Sequence, residues 1–119
     1  MTGRSCSKRD IENLQAIIRY CEDIEYLVSL HGSDEEDFFD NISLQYGCAF
    51  SLIQIGEHTK LLSVEFKETY PEIDWRGVAA MRDFTVHNYP KVHIPRMRST
   101  VLEEVPLLKE MCQNIMCGR

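Results

Sequence analysis

Residues 42–66 read ISLQYGCAFSLIQIGEHTKLLSVEF, and this stretch decides the fold. Tyr46, Ala49, Phe50 and Ile53 recur at helical intervals, and no part of the stretch alternates for long in the way a strand does. The spacing predicts one long helix from about residue 41 to residue 69, ended by Pro71. Its apolar content is heavy enough to make it the central helix. Gly47 and Gly56 each cost helix stability, which points to close approach of neighbouring helices at both positions.

Working outward, Ile11, Leu14, Ile17, Ile18, Cys21, Ile24, Leu27 and Val28 form an amphipathic face and predict a helix over about 8–30. Gly32 suits the position just past its end, and Ser33 is expected to cap a short acidic helix running through Asp40. Beyond Pro71, Asp74 is the expected N-cap of a helix that begins near Trp75 and carries Val78, Ala79, Met81 and Phe84. Pro90 ends that helix, because the residue before a proline is pushed out of the α region. Pro95 suits a first helical position. A last helix then carries Val101, Leu102, Val105, Leu108, Cys112, Ile115 and Met116, kinked or restarted at Pro106. The expected architecture is all-α: an up-and-down bundle of four main helices plus a short one, with residues 1–119 as one domain.

Composition narrows the function. The chain has 119 residues, 44% of them hydrophobic, enough for one packed core. No apolar run approaches the roughly 20 residues that span a bilayer, and MTGRSCSKRD has no hydrophobic leader, so a cytoplasmic protein with no membrane partner is expected. Five scattered cysteines show neither zinc-site spacing nor a disulfide framework, so no metal and no cofactor are expected, and Cys21, Cys48 and Cys112 are assigned to the core. The formal net charge is −6, but it is unevenly spread. Residues 76–98 carry Arg76, Arg82, Lys91, Arg96 and Arg98 against Asp83 alone. A local basic patch on an acidic body suits a phosphate-bearing ligand better than general adhesion to nucleic acid, although basic side chains paired with acidic neighbours would give the same count.

Within that segment, MRDFTVHNYP (81–90) places Arg82, Asp83, His87 and Tyr89 close together. A histidine can move protons near neutral pH, and an arginine offers a planar, permanent charge for a phosphate. Asp83, four residues before His87, can orient the imidazole. Together they suit metal-free cleavage of a phosphodiester, with the histidine serving an RNA 2′-hydroxyl or the leaving group. On a straight helix Arg82 and Tyr89 lie about 20° apart but His87 about 140° from Arg82. A loosened last turn, or a site assembled between two chains, would resolve that. A two-fold dimer would also supply the second histidine that concerted acid–base work needs. A surface pair of Asp83 and His87, with Tyr89 covering a helix end, is the simpler structural alternative.

At these residues the chain resembles the HEPN superfamily, and specifically its HepT-like branch, whose signature is Arg, a polar residue, a short spacer, His, any residue and Tyr. Here it stands as Arg82, Asp83, FTV, His87, Asn88, Tyr89. LIQIGEHTKLLSVEF resembles the family's central helix with its Gly-Glu pair at Gly56 and Glu57, YPEIDWRGVAAMRD its approach to the motif, and VLEEVPLLKEM its proline-marked last helix. The resemblance implies a helical bundle acting as a homodimeric, metal-independent endoribonuclease toxin, with Arg82 and His87 lining a cleft at the dimer interface. It also implies a nucleotidyltransferase antitoxin that transfers AMP to Tyr89. On this view Arg82 and His87 are catalytic, Asp83 supports them, and Arg76, Lys91, Arg96 and Arg98 contact RNA. The alternative is a non-catalytic helical module that docks onto a nucleotidyltransferase and helps hold its substrate. His58 is expected to be structural, His93 an exposed loop residue, and Trp75 a packing anchor rather than a platform for a base.

Overall fold

The computed structural model describes residues 7–83 and 94–118, and every regular element among them is helical. The long elements are α1 (Lys8–His31), α3 (Ile42–Leu61) and α7 (Val105–Cys117). Shorter ones are α2 (Glu35–Asp40), α4 (Val64–Thr69), α5 (Trp75–Ala79) and α6 (Ile94–Ser99). The expected all-α bundle is what the structure shows. α1 packs mainly on α3 and next on α7, while α3 also meets α2, α5 and α6. Leu14, Ile17, Cys21 and Ile24 of α1 interlock with Leu44, Cys48, Leu52 and Ile55 of α3 and with Val105, Leu108, Cys112 and Ile115 of α7 in one core. Burial pushes the Cys48 and Cys112 thiols up to about 12, and Cys21 higher still with Cys112 nearby, so all three remain inert apolar groups.

Helix α1 matches its expected span. Ser7 caps it, accepting from the Asp10 N–H at 3.0 Å, and Gly32 closes it at φ 102°, a conformation that excludes side chains with a Cβ. The cap of α2 is Asp34 rather than Ser33: the Asp37 carboxylate reaches back to accept the Asp34 N–H at 3.0 Å.

The helix expected over 41–69 is two helices. Leu62 turns out of α3 and Ser63 caps α4, accepting from the Phe66 N–H at 3.1 Å. The break is fixed from α1. The Ser63 N–H donates to Asp10 Oδ1 at 2.8 Å and its hydroxyl to Oδ2 at 2.7 Å. Burial alone would raise the Asp10 pKa, but the Ser63 and Ser7 hydrogen bonds, with Arg9 close by, outweigh it and hold the carboxyl below its usual range.

The helix from Trp75 is also shorter than expected. Asp74 caps it as anticipated, accepting from the Gly77 N–H at 3.1 Å, but α5 gives way at Ala80 to a 3₁₀ turn, Ala80–Asp83. Phe84 and Pro90 lie outside the described residues. Near the C-terminal end, Pro95 takes the second position of α6. Pro106 has no N–H to give the preceding turn, and the chain widens into a π-helical turn over Thr100–Glu104, where the Val105 N–H reaches the Thr100 carbonyl.

Candidate active site

The site is built on the far end of α3, where Gly56 makes an unusually close contact. A Cβ on residue 56 would stand 2.5 Å from the Arg82 nitrogen, 2.8 Å from the Ala79 carbonyl oxygen and 2.9 Å from the Arg82 Cβ. Only a bare Cα lets the 3₁₀ turn lie directly on the helix. Met81 is buried, and Trp75 at the start of α5 is 7% exposed, its indole N–H donating to the Tyr70 carbonyl at 2.9 Å and its ring packed 5.8 Å from Phe66. Trp75 is thus the packing anchor expected from the sequence, too enclosed to stack on a base.

Arg82 points outward from this platform. Its Nε lies 3.3 Å from Glu57 Oε2, with the two side chains 45% and 48% exposed. Over Ala80–Asp83 successive residues advance by about 120° rather than the 100° of an α-helix. Asp83, next to Arg82, is exposed. His87, Tyr89, Lys91 and His93 lie outside the described residues.

Of the basic residues expected to meet RNA, Arg76 is exposed in the first turn of α5. Arg96 and Arg98 sit on α6, which packs against α2. Arg98 has one donor committed, its Nε giving 2.7 Å to the Ser33 carbonyl and tying α6 to the α1–α2 connection. His58, beside Glu57 but turned toward α1, has a different role from its neighbour. The Asn13 amide nitrogen donates to the Arg9 carbonyl, so the Asn13 Oδ1 faces His58 Nδ1 at 2.8 Å and accepts a hydrogen bond from its N–H. The imidazole also lies against Tyr20, with ring centroids 6.0 Å apart. Among the described residues, no group of three His, Cys, Asp or Glu side chains is placed to hold a metal ion, and no helix is long and apolar enough to cross a membrane.

Two features of the site leave little mark in the sequence. The first is Glu57 as the partner of Arg82; the Gly-Glu pair was its only trace. The second is the outer face of α3. Tyr46 and Phe50 belong to the apolar content that marks a central helix in the sequence, yet they are 52% and 56% exposed, with Ile42 and Leu61 also open to solvent. Tyr46, Phe50, Ile53 and Glu57 fall within about 60° of one another around α3, so this apolar strip runs straight to the Arg82 ion pair.

The chain is thus an all-α bundle with an exposed arginine on a turn packed against its central helix, and a His-x-Tyr sequence follows that arginine. The family profile "Ribonuclease HepT-like" matches residues 11–115. The chain belongs to the HepT-like ribonuclease family of the HEPN superfamily. It is 33% identical over 104 residues to a Caldanaerobacter subterraneus protein named as a candidate RNase, covering 87% of this chain and 90% of that one. It is 39% identical over 74 residues to a Thermococcus cleftensis protein named as a probable ribonuclease HepT, covering 62% and 67%. A Methanocaldococcus jannaschii protein also named as a candidate RNase is 32% identical over 109 residues, covering 91% and 92%. No solved structure matches the chain at a significant level.

Proposed function

We propose that the chain is a metal-independent endoribonuclease, the toxin of a toxin–antitoxin pair, with Arg82 and His87 acting in a cleft shared by two copies. The observation that carries this is the placement of Arg82. A close-packed turn holds it at the surface, at the end of an apolar strip on α3. A contiguous apolar strip on a helix surface is ordinarily covered by a partner, and here a second copy of the chain is the covering proposed for it. Two-fold packing of α3 on α3 would bring two Arg82 turns to one seam and supply two copies of His87.

The chemistry follows from the residues. One His87 takes the proton of a 2′-hydroxyl as its oxygen attacks the adjacent phosphorus. The bond to the 5′-oxygen breaks, and the partner's His87 returns a proton to that leaving oxygen, giving a 2′,3′-cyclic phosphate and a 5′-hydroxyl end. Arg82 meets the charge that builds on the non-bridging oxygens. Asp83 supports His87, while Arg76, Lys91, Arg96 and Arg98 guide the RNA backbone. Transfer of AMP to Tyr89 by a nucleotidyltransferase partner would add a bulky anion to the motif and close the site. The setting is cytoplasmic.

The test is RNA cleavage in EDTA by the purified chain, beside His87→Ala checked for fold and oligomeric state. Cleavage that survives EDTA and disappears in the variant supports the proposal. Absence of cleavage on several RNAs, or equal cleavage by His87→Ala, rejects it and favours the non-catalytic module, for which the same α3 strip would dock the nucleotidyltransferase.

A further inference from the structure

Glu57 stands 3.3 Å from Arg82, the side chain assigned to the charge that builds on the scissile phosphate, and it carries the same sign of charge as that phosphate. An exposed ion pair of this kind ordinarily contributes little to stability, because two long side chains must be ordered to form it. Here much of that ordering is already done by the backbone. Gly56 lies against the Arg82 nitrogen and Cβ, so the next residue along α3 is brought beside the Arg82 side chain whatever else happens. The contact is made at Nε, one of five N–H donors on the guanidinium, and the terminal nitrogens can still grip two oxygens of a second anion.

We propose that Glu57 is a positioning residue for Arg82: it holds the guanidinium by its Nε edge so that the terminal nitrogens face the scissile phosphate. This rests on the ribonuclease assignment above and deepens it. The carboxylate does two opposed things. It fixes the orientation of the fork, which favours the transition state, and it repels the incoming phosphate, which weakens binding of the RNA. Without RNA, Arg82 is already a paired charge, so the site does not hold every passing polyanion, and the same repulsion helps to release bound product.

The experiment compares wild type, Glu57→Gln and Glu57→Ala by three measurements. These are single-turnover and steady-state RNA cleavage, binding of a 2′-O-methyl oligoribonucleotide that keeps the phosphates but lacks the attacking hydroxyl, and the ¹⁵N–¹H resonance of Arg82 Nε. Glu57→Ala is expected to lower kcat about 10–100-fold through misorientation. Both variants are expected to bind the oligonucleotide about 3–10-fold more tightly once the repulsion is gone. Glu57→Gln keeps an acceptor oxygen and is expected to recover most of the lost kcat while retaining the tighter binding. The Nε resonance is expected to be protected from exchange in wild type and to lose that protection in Glu57→Ala. A purely structural role would lower the melting temperature without separating kcat from binding in this way. Unchanged kcat, binding and Nε exchange in folded Glu57→Ala overturn the proposal. If wild type does not cleave RNA at all, the ribonuclease assignment fails on its own. The binding and resonance measurements then decide the role of Glu57, with equal oligonucleotide affinity and unaltered exchange across all three proteins counting against it.

Discussion

Gly47 and Gly56 sit on the same helix and are close-packed for different reasons. At Gly47 a Cβ would meet the Leu27 methyl groups of α1 at 2.6 and 3.2 Å, the mobile end of a half-buried side chain. At Gly56 the obstacles are the Arg82 nitrogen and the Ala79 carbonyl oxygen at 2.5 and 2.8 Å, which are main-chain atoms. One glycine lets two scaffold helices approach; the other carries the turn that presents the candidate catalytic arginine. α3 therefore joins a tolerant half, packed side chain against side chain, to an intolerant half, packed against backbone. The comparison is open to test by substitutions at either end.

The largest effect is expected at Arg82. Its side chain is exposed, so Arg82→Ala should leave the melting temperature within about 2 °C while cutting RNA cleavage about 10²–10³-fold, or about 3–4 kcal/mol of barrier. A large loss of stability with little loss of cleavage would show that the turn serves the fold and not the chemistry. Gly56→Ala comes next. The alanine gains about 1 kcal/mol of helix propensity, but overpacking against main chain costs about 1–3 kcal/mol. The turn must then shift, and a displacement on the order of 1 Å at Arg82 predicts a roughly 10²-fold loss of cleavage. Chemical denaturation beside a cleavage assay reads both effects, and wild-type activity in Gly56→Ala would erase the distinction between the two ends of α3.

Asp10 extends the comparison beyond α3, because it fixes where that helix stops. Asp10→Asn replaces a charged acceptor with a neutral amide and should cost about 1.5–2 kcal/mol in urea unfolding at pH 7. The wild-type carboxyl has its folded-state pKa depressed below the ordinary 3.8. Its contribution is therefore complete above that value and is lost as pH falls through the lower, folded-state pKa. Stability curves of wild type and Asp10→Asn should run apart at pH 5–7 and converge in acid. A gap that stays constant into acid would mean that the carboxylate is not what holds Ser63.

Asp10 also shows where the sequence ceases to be legible. α1, the core faces and the Asp74 cap can be read because their causes are local: apolar spacing, a glycine at the end, a capping side chain at the start. The break between α3 and α4 cannot be read, since nothing at Leu62 or Ser63 forbids helix and its cause lies 53 residues away. The shortening of α5 into a 3₁₀ turn is likewise a tertiary effect, tied to the contact at Gly56. Within the candidate site the same division holds. Arg82 announces itself by its motif, whereas Glu57 is identified as its partner only once α3 and the turn are packed together. The exposed strip of Tyr46 and Phe50 was legible as apolar but not as outward-facing, because periodicity marks a face without saying what covers it.

The smallest effect belongs to Gly47. Gly47→Ala again gains about 1 kcal/mol of helix propensity. Against this, Leu27 must turn to another rotamer or sit off one, at about 0.5–1.5 kcal/mol. The two nearly cancel, so stability should stay within about 0.5 kcal/mol of wild type. Leu27 is on α1 and Gly47 lies more than two turns of α3 from Gly56, so the Arg82 turn should not move and RNA cleavage should be unchanged. The pair of alanine variants thus separates two meanings of a helical glycine by one structural difference, whether the neighbour is a side chain that can rotate or a main chain that cannot. If Gly47→Ala lost cleavage as Gly56→Ala is expected to, the two halves of α3 would be mechanically coupled, and the α1 contact would have to count as part of the site.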